Sequence, residues 1–64
     1  MIYELHDFLS DIVPPDELVN VHGPHLCVLD KCVDLFFNPD FIHISHCIVR
    51  KVRHNIDCLE IWIE

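Results

Sequence analysis

The sequence is poor in glycine and in basic residues. Its 64 residues include one glycine and four lysines or arginines, against 11 aspartates and glutamates. The resulting formal net charge of −7 at pH 7 means that DNA, RNA and anionic membranes repel the chain. Basic surfaces attract it, including those that normally hold nucleic acid. We therefore expect no direct contact with nucleic acid and none with a membrane.

Long apolar runs and targeting signals are also lacking. No apolar run approaches the roughly 20 residues that span a bilayer. Residues 1–17 contain Glu4, Asp7 and Asp11 and no basic segment of the kind that begins a signal peptide. These features predict a cytoplasmic protein, whose four cysteines are reduced thiols. The even number of cysteines leaves disulfides open if the chain is secreted by another route.

Metal-ligating residues are present, but not at the spacing of a standard zinc module. The densest groupings are His22-x2-His25-x-Cys27 and His43-x2-His46-Cys47. There is no C-x2-C pair, and Cys27-x4-Cys32 is only a loose match. Free cysteine is among the most buried residue types. We therefore expect buried thiols, surface imidazoles and no cofactor, with a zinc-stabilised small domain as the alternative.

No catalytic motif is recognisable either. Two Cys–His pairs are candidates for nucleophilic catalysis: Cys47 with His46, and Cys58 with His54. Adjacent strand residues point to opposite faces, which argues against the first pair. A chain this short also has little room for both a substrate pocket and an oxyanion site. The prediction is that the protein is not an enzyme.

The first half of the chain predicts a helix followed by a β-hairpin. Apolar residues recur at helical spacing over residues 2–12, and Pro14-Pro15 ends the helix. Residues 18–22 alternate as a strand does, and Gly23-Pro24 marks a turn. Residues 25–29 form the second strand, and their nearly continuous apolar run predicts a central position or cover on both sides.

The second half predicts a short helix and a second hairpin. Asn38-Pro39-Asp40 has the composition of a helix start, so a helix is expected over residues 39–45. A strand over residues 47–54 then turns at Asn55-Ile56 into the last strand. In that last strand Leu59, Ile61 and Ile63 alternate with polar or aromatic residues.

A register centred on Asn55-Ile56 sets Lys51 opposite Glu60, an opposite-charge pair. It leaves Arg50 on the apolar face, which requires a bulge or an edge position. The predicted architecture is a single small α+β domain over residues 1–64. Its N-terminal helix packs on a four-stranded antiparallel sheet made of two hairpins, with a short second helix between them.

Acidic residues form the candidate partner-binding surface. Glu4, Asp7 and Asp11 fall at i, i+3 and i+7 and form one stripe along the first helix. With Asp16 and Glu17 they can imitate the spacing of phosphates and occupy a basic groove. The alternative is the ordinary wet face of an amphipathic helix. The only basic cluster, Arg50-Lys51-Arg53, is expected to be solvated or paired across strands rather than to bind nucleic acid.

The order of these elements resembles that of very small acidic proteins encoded by phages and prophages of Gram-positive bacteria. The matching residues are Leu5, Phe8 and Leu9, then Pro15-Asp16, Val19-Asn20-Val21, Asp34-Leu35 and Leu59-Glu60-Ile61-Trp62-Ile63-Glu64. The histidines, the cysteines and the stretch 38–45 depart from that pattern. Some small acidic phage proteins inhibit host defence nucleoproteins, including CRISPR effectors. The resemblance assigns no functional residues.

Two functions are therefore expected from the sequence. The first is an anti-CRISPR-like inhibitor that binds a basic, nucleic-acid-handling host protein. The second is a self-associating structural or accessory phage module, a homo-oligomer held by exposed apolar residues such as Phe36, Phe37 and Trp62. A hydrophobic share of 52% in so short a chain is compatible with either, because some apolar surface then needs a partner.

Overall fold

The computed structural model describes residues 2–64, which form three helices and one four-stranded sheet. The elements in chain order are α1 (Leu5–Asp11), β1 (Leu18–His22), β2 (Cys27–Lys31), α2 (Cys32–Leu35), α3 (Pro39–Ile42), β3 (Val49–His54) and β4 (Leu59–Ile63). The strands lie in the order β2-β1-β4-β3. The protein is an α+β domain, as the sequence predicts.

The sheet is mixed, so the prediction of a purely antiparallel sheet was wrong. The two predicted hairpins are present, because β1 pairs with β2 and β3 pairs with β4, both antiparallel. The hairpins join through β1 and β4, which run parallel with Val19 beside Leu59 and Val21 beside Ile61. A short turn makes the two strands of a hairpin antiparallel, whereas nothing in the local sequence indicates how two distant strands pair.

One face of the sheet is apolar and buried. Val19 and Val21 of β1 and Ile61 of β4 are all 0% exposed, at the centre of the sheet. The same buried cluster contains side chains from every helix: Leu5, Leu9, Cys32, Leu35 and Phe41. Burying an aliphatic side chain fully contributes about 1.5–3 kcal/mol each, so this cluster is the main source of stability.

β2 lies at an edge of the sheet, and the prediction of a central or doubly covered strand was wrong. It begins at Cys27 rather than His25, and only Val28 is buried within it. Leu29 is 59% exposed. Leu26, which contributes to the apolar run, lies before the strand and packs against the core. The apolar run therefore arises from Leu26, which lies before the strand, and Val28, which faces the core. It does not indicate a strand covered on both faces.

α1 is shorter than the predicted helix over residues 2–12. Before it, the chain is extended: the Val49 N–H donates to the Tyr3 carbonyl at 2.9 Å, and Glu4 forms a β-bridge with Ile48. The first helical N–H groups find partners outside the helix. Leu5 donates to the Cys47 carbonyl at 2.8 Å, and His6 also donates to a carbonyl of the 45–47 segment. Tertiary hydrogen bonds thus set where α1 begins.

α3 begins where the sequence predicts and ends earlier. The Asn38 side chain accepts from the Asp40 N–H at 2.9 Å, and Pro39 occupies the first helical position. The helix stops at Ile42 instead of residue 45. α2 was not predicted, because no side chain caps it. Its first N–H groups donate instead to the carbonyls of Glu17 and Pro15.

The second hairpin has a different register from the predicted one. Lys51 lies opposite Trp62, and Arg53 lies opposite Glu60. The turn is longer than expected, because the Asn55 N–H donates to the Cys58 carbonyl at 2.9 Å and closes a loop over residues 55–58. A two-residue centre at Asn55-Ile56 was therefore wrong, and β3 begins at Val49 rather than Cys47.

Arg50 lies at an irregularity of the β3–β4 pairing, which keeps its charged side chain out of the core. The β3–β4 register shifts between Val49 and Lys51, and β3 is an edge strand. The bulge lets Val49 pack against the core while Arg50 stays exposed. The Arg50 guanidinium instead lies 3.6 Å from the Glu64 carboxylate. The sequence predicted a bulge or an edge position for Arg50, and the structure has both.

Strand β4 is central and β3 is an edge strand, so a new charge should have unequal effects on the two members of the cross-strand pair Ile61 and Val52. Ile61→Asp should leave the domain unfolded at room temperature, because an unpaired carboxylate would be buried among aliphatic side chains. Val52 is the cross-strand neighbour of Ile61 and is 41% exposed. Val52→Asp should therefore cost only about 1 kcal/mol. Thermal unfolding followed by circular dichroism measures both, and an unchanged melting temperature in Ile61→Asp would contradict this fold.

Candidate functional site

Charge is segregated between the helices and the sheet edges. The helices carry four acids, Asp7, Asp11, Asp34 and Asp40, and no lysine or arginine. All four basic residues lie on the two edge strands: Lys31 on β2 and Arg50, Lys51 and Arg53 on β3. Like charges within one element leave their field uncompensated locally. The negative charge of the helices is therefore not compensated by a lysine or arginine on any helix.

Only two residues of the predicted acidic stripe, Asp7 and Asp11, lie within α1. Asp7 and Asp11 are exposed, four residues apart on the same side of the helix. Asp7 lies in the first turn, where the helix dipole favours an acid. Asp11 is the last helical residue, where the dipole disfavours it, and α1 has no basic residue in its last turn. Glu4 precedes the helix, and its carboxylate lies 3.0 Å from His46 Nδ1.

The turn after α1 holds the other two predicted residues. Asp16 is exposed. Glu17 is half-buried, and its carboxylate lies 3.3 Å from His54 Nε2. The carboxylates of Glu4 and Glu17 are thus each in contact with a histidine from the second half of the chain. We call the three exposed residues Asp7, Asp11 and Asp16 the acidic face.

An apolar groove adjoins the acidic face. It has a volume of about 230 Å³ and is lined by Leu9, Ser10, Val13, Pro15, Cys32, Val33 and Phe36. Asp11 directly follows the lining residue Ser10, and Asp16 directly follows Pro15. Asp11 and Asp16 are thus chain neighbours of lining residues, and the groove itself is formed by the end of α1, the turn after it and α2. Sequence analysis did not identify this groove, because α2 itself was not predicted.

Cys32 forms part of the groove and of the core. It is 2% exposed, and its thiol donates to the Leu9 carbonyl at 3.5 Å. Burial raises the pKa of this thiol, because desolvation disfavours the thiolate. Cys32 is therefore a neutral, structural thiol at physiological pH.

The histidines and cysteines of residues 2–64 form no metal site. Among residues 2–64, no group of three or more His, Cys, Asp or Glu side chains is arranged to hold a metal ion. The cysteines of this part of the chain are all free thiols. Of the two Cys–His pairs considered from sequence, His46 lies against Glu4 and His54 against Glu17.

The basic cluster is solvated or paired, as expected from sequence. Arg50 approaches Glu64, and Arg53 is exposed on the edge strand opposite Glu60. The Lys51 Nζ lies 5.1 Å from the centroid of the Trp62 ring, within cation–π range.

The sheet face opposite the core carries a polar network that sequence analysis missed. Two rows cross all four strands side by side: Cys27, His22, Trp62 and Lys51, then Leu29, Asn20, Glu60 and Arg53. We call these eight residues the open face, because each is half-buried or exposed. The alternation of β1 and β4 was visible in the sequence. Their parallel pairing, which brings His22 beside Trp62 and Asn20 beside Glu60, was not.

Comparison with known protein families, curated proteins and solved structures finds no match. The expected resemblance to small acidic phage proteins therefore stays a prediction. Within residues 2–64, the helices are too short or too polar for any of them to cross a bilayer.

The raised pKa of Cys32 predicts how stability depends on pH. The folded-state pKa lies above the unfolded one, so this contribution to stability is fully present below the unfolded pKa. It is lost as pH rises through the folded pKa. We expect the free energy of unfolding to fall above about pH 8.5, where an unfolded cysteine ionises.

Urea unfolding between about pH 7 and 9.5 measures this dependence, below the range in which lysine and tyrosine ionise. Cys32→Ala should remove this part of the pH dependence, and Cys58→Ala should keep it. Parallel pH curves for the wild type and Cys32→Ala would show that Cys32 makes no such contribution.

Proposed function

We propose that this protein binds a basic, nucleic-acid-handling protein through the acidic face and the adjoining apolar groove. By occupying the basic surface it excludes nucleic acid from it. The observation that carries the proposal is that Asp11 and Asp16 each directly follow a residue lining the groove, while no helix carries a lysine or arginine.

Charge supports this proposal. Within the described residues, Arg50–Glu64 is the one ion pair between a carboxylate and a lysine or arginine. Asp7 Oδ1 lies 3.4 Å from Nδ1 of its neighbour His6, and no lysine or arginine among the described residues pairs with the acidic face. A net charge of −7 on a chain of 64 residues also accelerates encounter with a basic partner, since opposite fields steer association.

Asp11 adds a second argument, because its position is unfavourable for folding. An acid in the last turn of a helix costs about 0.3–1 kcal/mol relative to a neutral residue. Positions that break a local stability rule are commonly functional ones. Contact between Asp11 and the partner would contribute binding free energy that compensates for the stability Asp11 costs the isolated domain.

The groove supplies the apolar half of the contact. Partner affinity usually depends on a few large side chains in desolvated pockets, surrounded by polar contacts. A groove of about 230 Å³ accommodates a single aliphatic or aromatic side chain of the partner. Lysines or arginines on either side of that side chain would meet Asp11 and Asp16. The preferred ligand is a basic segment with one apolar residue between its charges.

The resemblance to small acidic phage proteins narrows the partner class within this proposal. On that ground the partner is a nucleic-acid-binding defence effector of a bacterial host, and the protein is an anti-CRISPR-like inhibitor. The protein would then act by binding stoichiometrically in the cytoplasm, without catalysis and without a cofactor.

The acidic face can be tested with two variants of equal net charge. Asp11→Asn/Asp16→Asn removes the two charges that adjoin residues of the groove, and Asp40→Asn/Asp57→Asn removes two exposed charges elsewhere. We expect the first variant to bind the captured partner at least about tenfold more weakly, because contacting charges are lost. The second should stay within about threefold, since exposed charges are screened over about 8–10 Å at physiological ionic strength.

The partner is captured from a bacterial lysate at low and at moderate salt, and affinity is measured with the purified partner. Added DNA or RNA should displace the protein competitively. Asp11→Asn alone should raise stability by up to about 1 kcal/mol while it weakens binding, so unfolding cannot explain the loss. Equal binding by both double variants, or no competition with nucleic acid, would contradict the proposal.

A second candidate function is self-association. Phe37 is 84% exposed and Ile42 is 69% exposed, on either side of the start of α3. Phe36 and Trp62, also expected on such a surface, are half-buried: Phe36 packs edge-on against Phe41, and Trp62 stacks on His22. A homo-oligomer would be maintained or strengthened by salt and weakened by Phe37→Ser, as light scattering reports.

A further inference from the structure

Cys27 differs from the other cysteines in its surroundings. It lies on the edge strand β2 and is exposed, whereas Cys32, Cys47 and Cys58 are buried or half-buried. Its sulfur is 3.6 Å from His22 Nδ1 and 3.1 Å from Asn20 Oδ1. These three residues belong to neighbouring positions of the open face, so the β1–β2 register determines their approach.

The His22 ring is held in one orientation. Its Nε2 lies 3.2 Å from Glu60 Oε1, and the Asn55 amide nitrogen donates to the other oxygen of Glu60. The Trp62 ring stacks on the imidazole with centroids 4.8 Å apart and 15° between the planes. A carboxylate only accepts hydrogen bonds, so Nε2 carries the hydrogen in the neutral ring. Nδ1 then carries a free lone pair 3.6 Å from the Cys27 sulfur and can accept its proton.

We propose that Cys27 is a reactive thiol that forms a mixed disulfide with a low-molecular-weight disulfide, with His22 as its base and Glu60 as the positioning residue. A thiol, an imidazole that accepts its proton and a carboxylate that orients the imidazole are the parts that activate a cysteine nucleophile. This site is on a different surface from the acidic face and does not rest on the proposed function.

The exchange balances without any further reactant. His22 Nδ1 takes the thiol proton, and the Cys27 thiolate attacks one sulfur of the small disulfide. A new sulfur–sulfur bond forms as the old one breaks, and the departing thiolate takes the proton back from His22. Cys27 is oxidised to the mixed disulfide, and one half of the small disulfide is reduced to a free thiol.

Asn20 serves the thiol in both of its states. Its side-chain oxygen accepts from the neutral thiol. After rotation of the amide, its N–H₂ group can donate to the thiolate. The edge position of β2 leaves the sulfur open to a small molecule from solvent, so no enclosed substrate pocket is needed.

Hydroxyethyl disulfide is a suitable probe, because it is neutral and its reaction does not depend on surface charge. Intact-protein mass spectrometry at pH 7 should show a first adduct that peptide mapping assigns to Cys27, formed at least about tenfold faster than any adduct on Cys58. His22→Gln should slow this adduct about tenfold and Glu60→Gln about threefold. The His22→Gln difference should close near pH 10, where an unassisted cysteine is ionised.

His25→Gln is the matched control, because His25 is exposed in the same hairpin, two residues before Cys27. It should react at the wild-type rate. Circular dichroism verifies that each variant is folded. The order in which the four cysteines of the wild type react tests the proposal even if His22→Gln fails to fold. Equal rates for wild type and His22→Gln at pH 7, or a first adduct on another cysteine, would overturn the proposal.

Discussion

The parallel pairing of β1 with β4 is the contact on which the rest of the structure depends. These two strands come from different hairpins and bring Val19, Val21 and Ile61 together at the centre of the core. Without that pairing each hairpin would be a two-stranded ribbon, which is marginally stable in water. Joining them produces one apolar face wide enough to bury the inner side chains of all three helices. It also creates the open face on the other side.

The helices depend on this sheet more than on their own sequences. They contain seven, four and four residues, well below the length at which an isolated helix is stable. The first N–H groups of α1 and α2 are satisfied by carbonyls of distant segments, including those of Cys47 and Glu17. Such helices form only once the tertiary structure supplies their partners. The acidic face and its groove are consequently properties of the folded domain.

The two faces of the sheet have different chemical consequences. The buried face makes Cys32 an unreactive thiol, because burial disfavours its ionisation. The open face places Cys27 beside an oriented imidazole at an exposed edge. Basic residues on both edge strands also oppose pairing with another sheet edge. Burial at the start of α2 therefore makes Cys32 structural, whereas the edge of the sheet leaves Cys27 exposed to solvent.

The sequence by itself determined the α+β class, the two hairpins and the net charge. Strand β1 has the bounds that its alternation predicts, α3 starts at its predicted Asn38 cap, and the bulge or edge position required by Arg50 is present. Only the tertiary structure decided the parallel β1–β4 contact, the existence of α2, the edge position of β2 and the register of Lys51. Periodicity and caps act over a few residues, whereas those features follow from burial and hydrogen bonds between segments far apart in the chain.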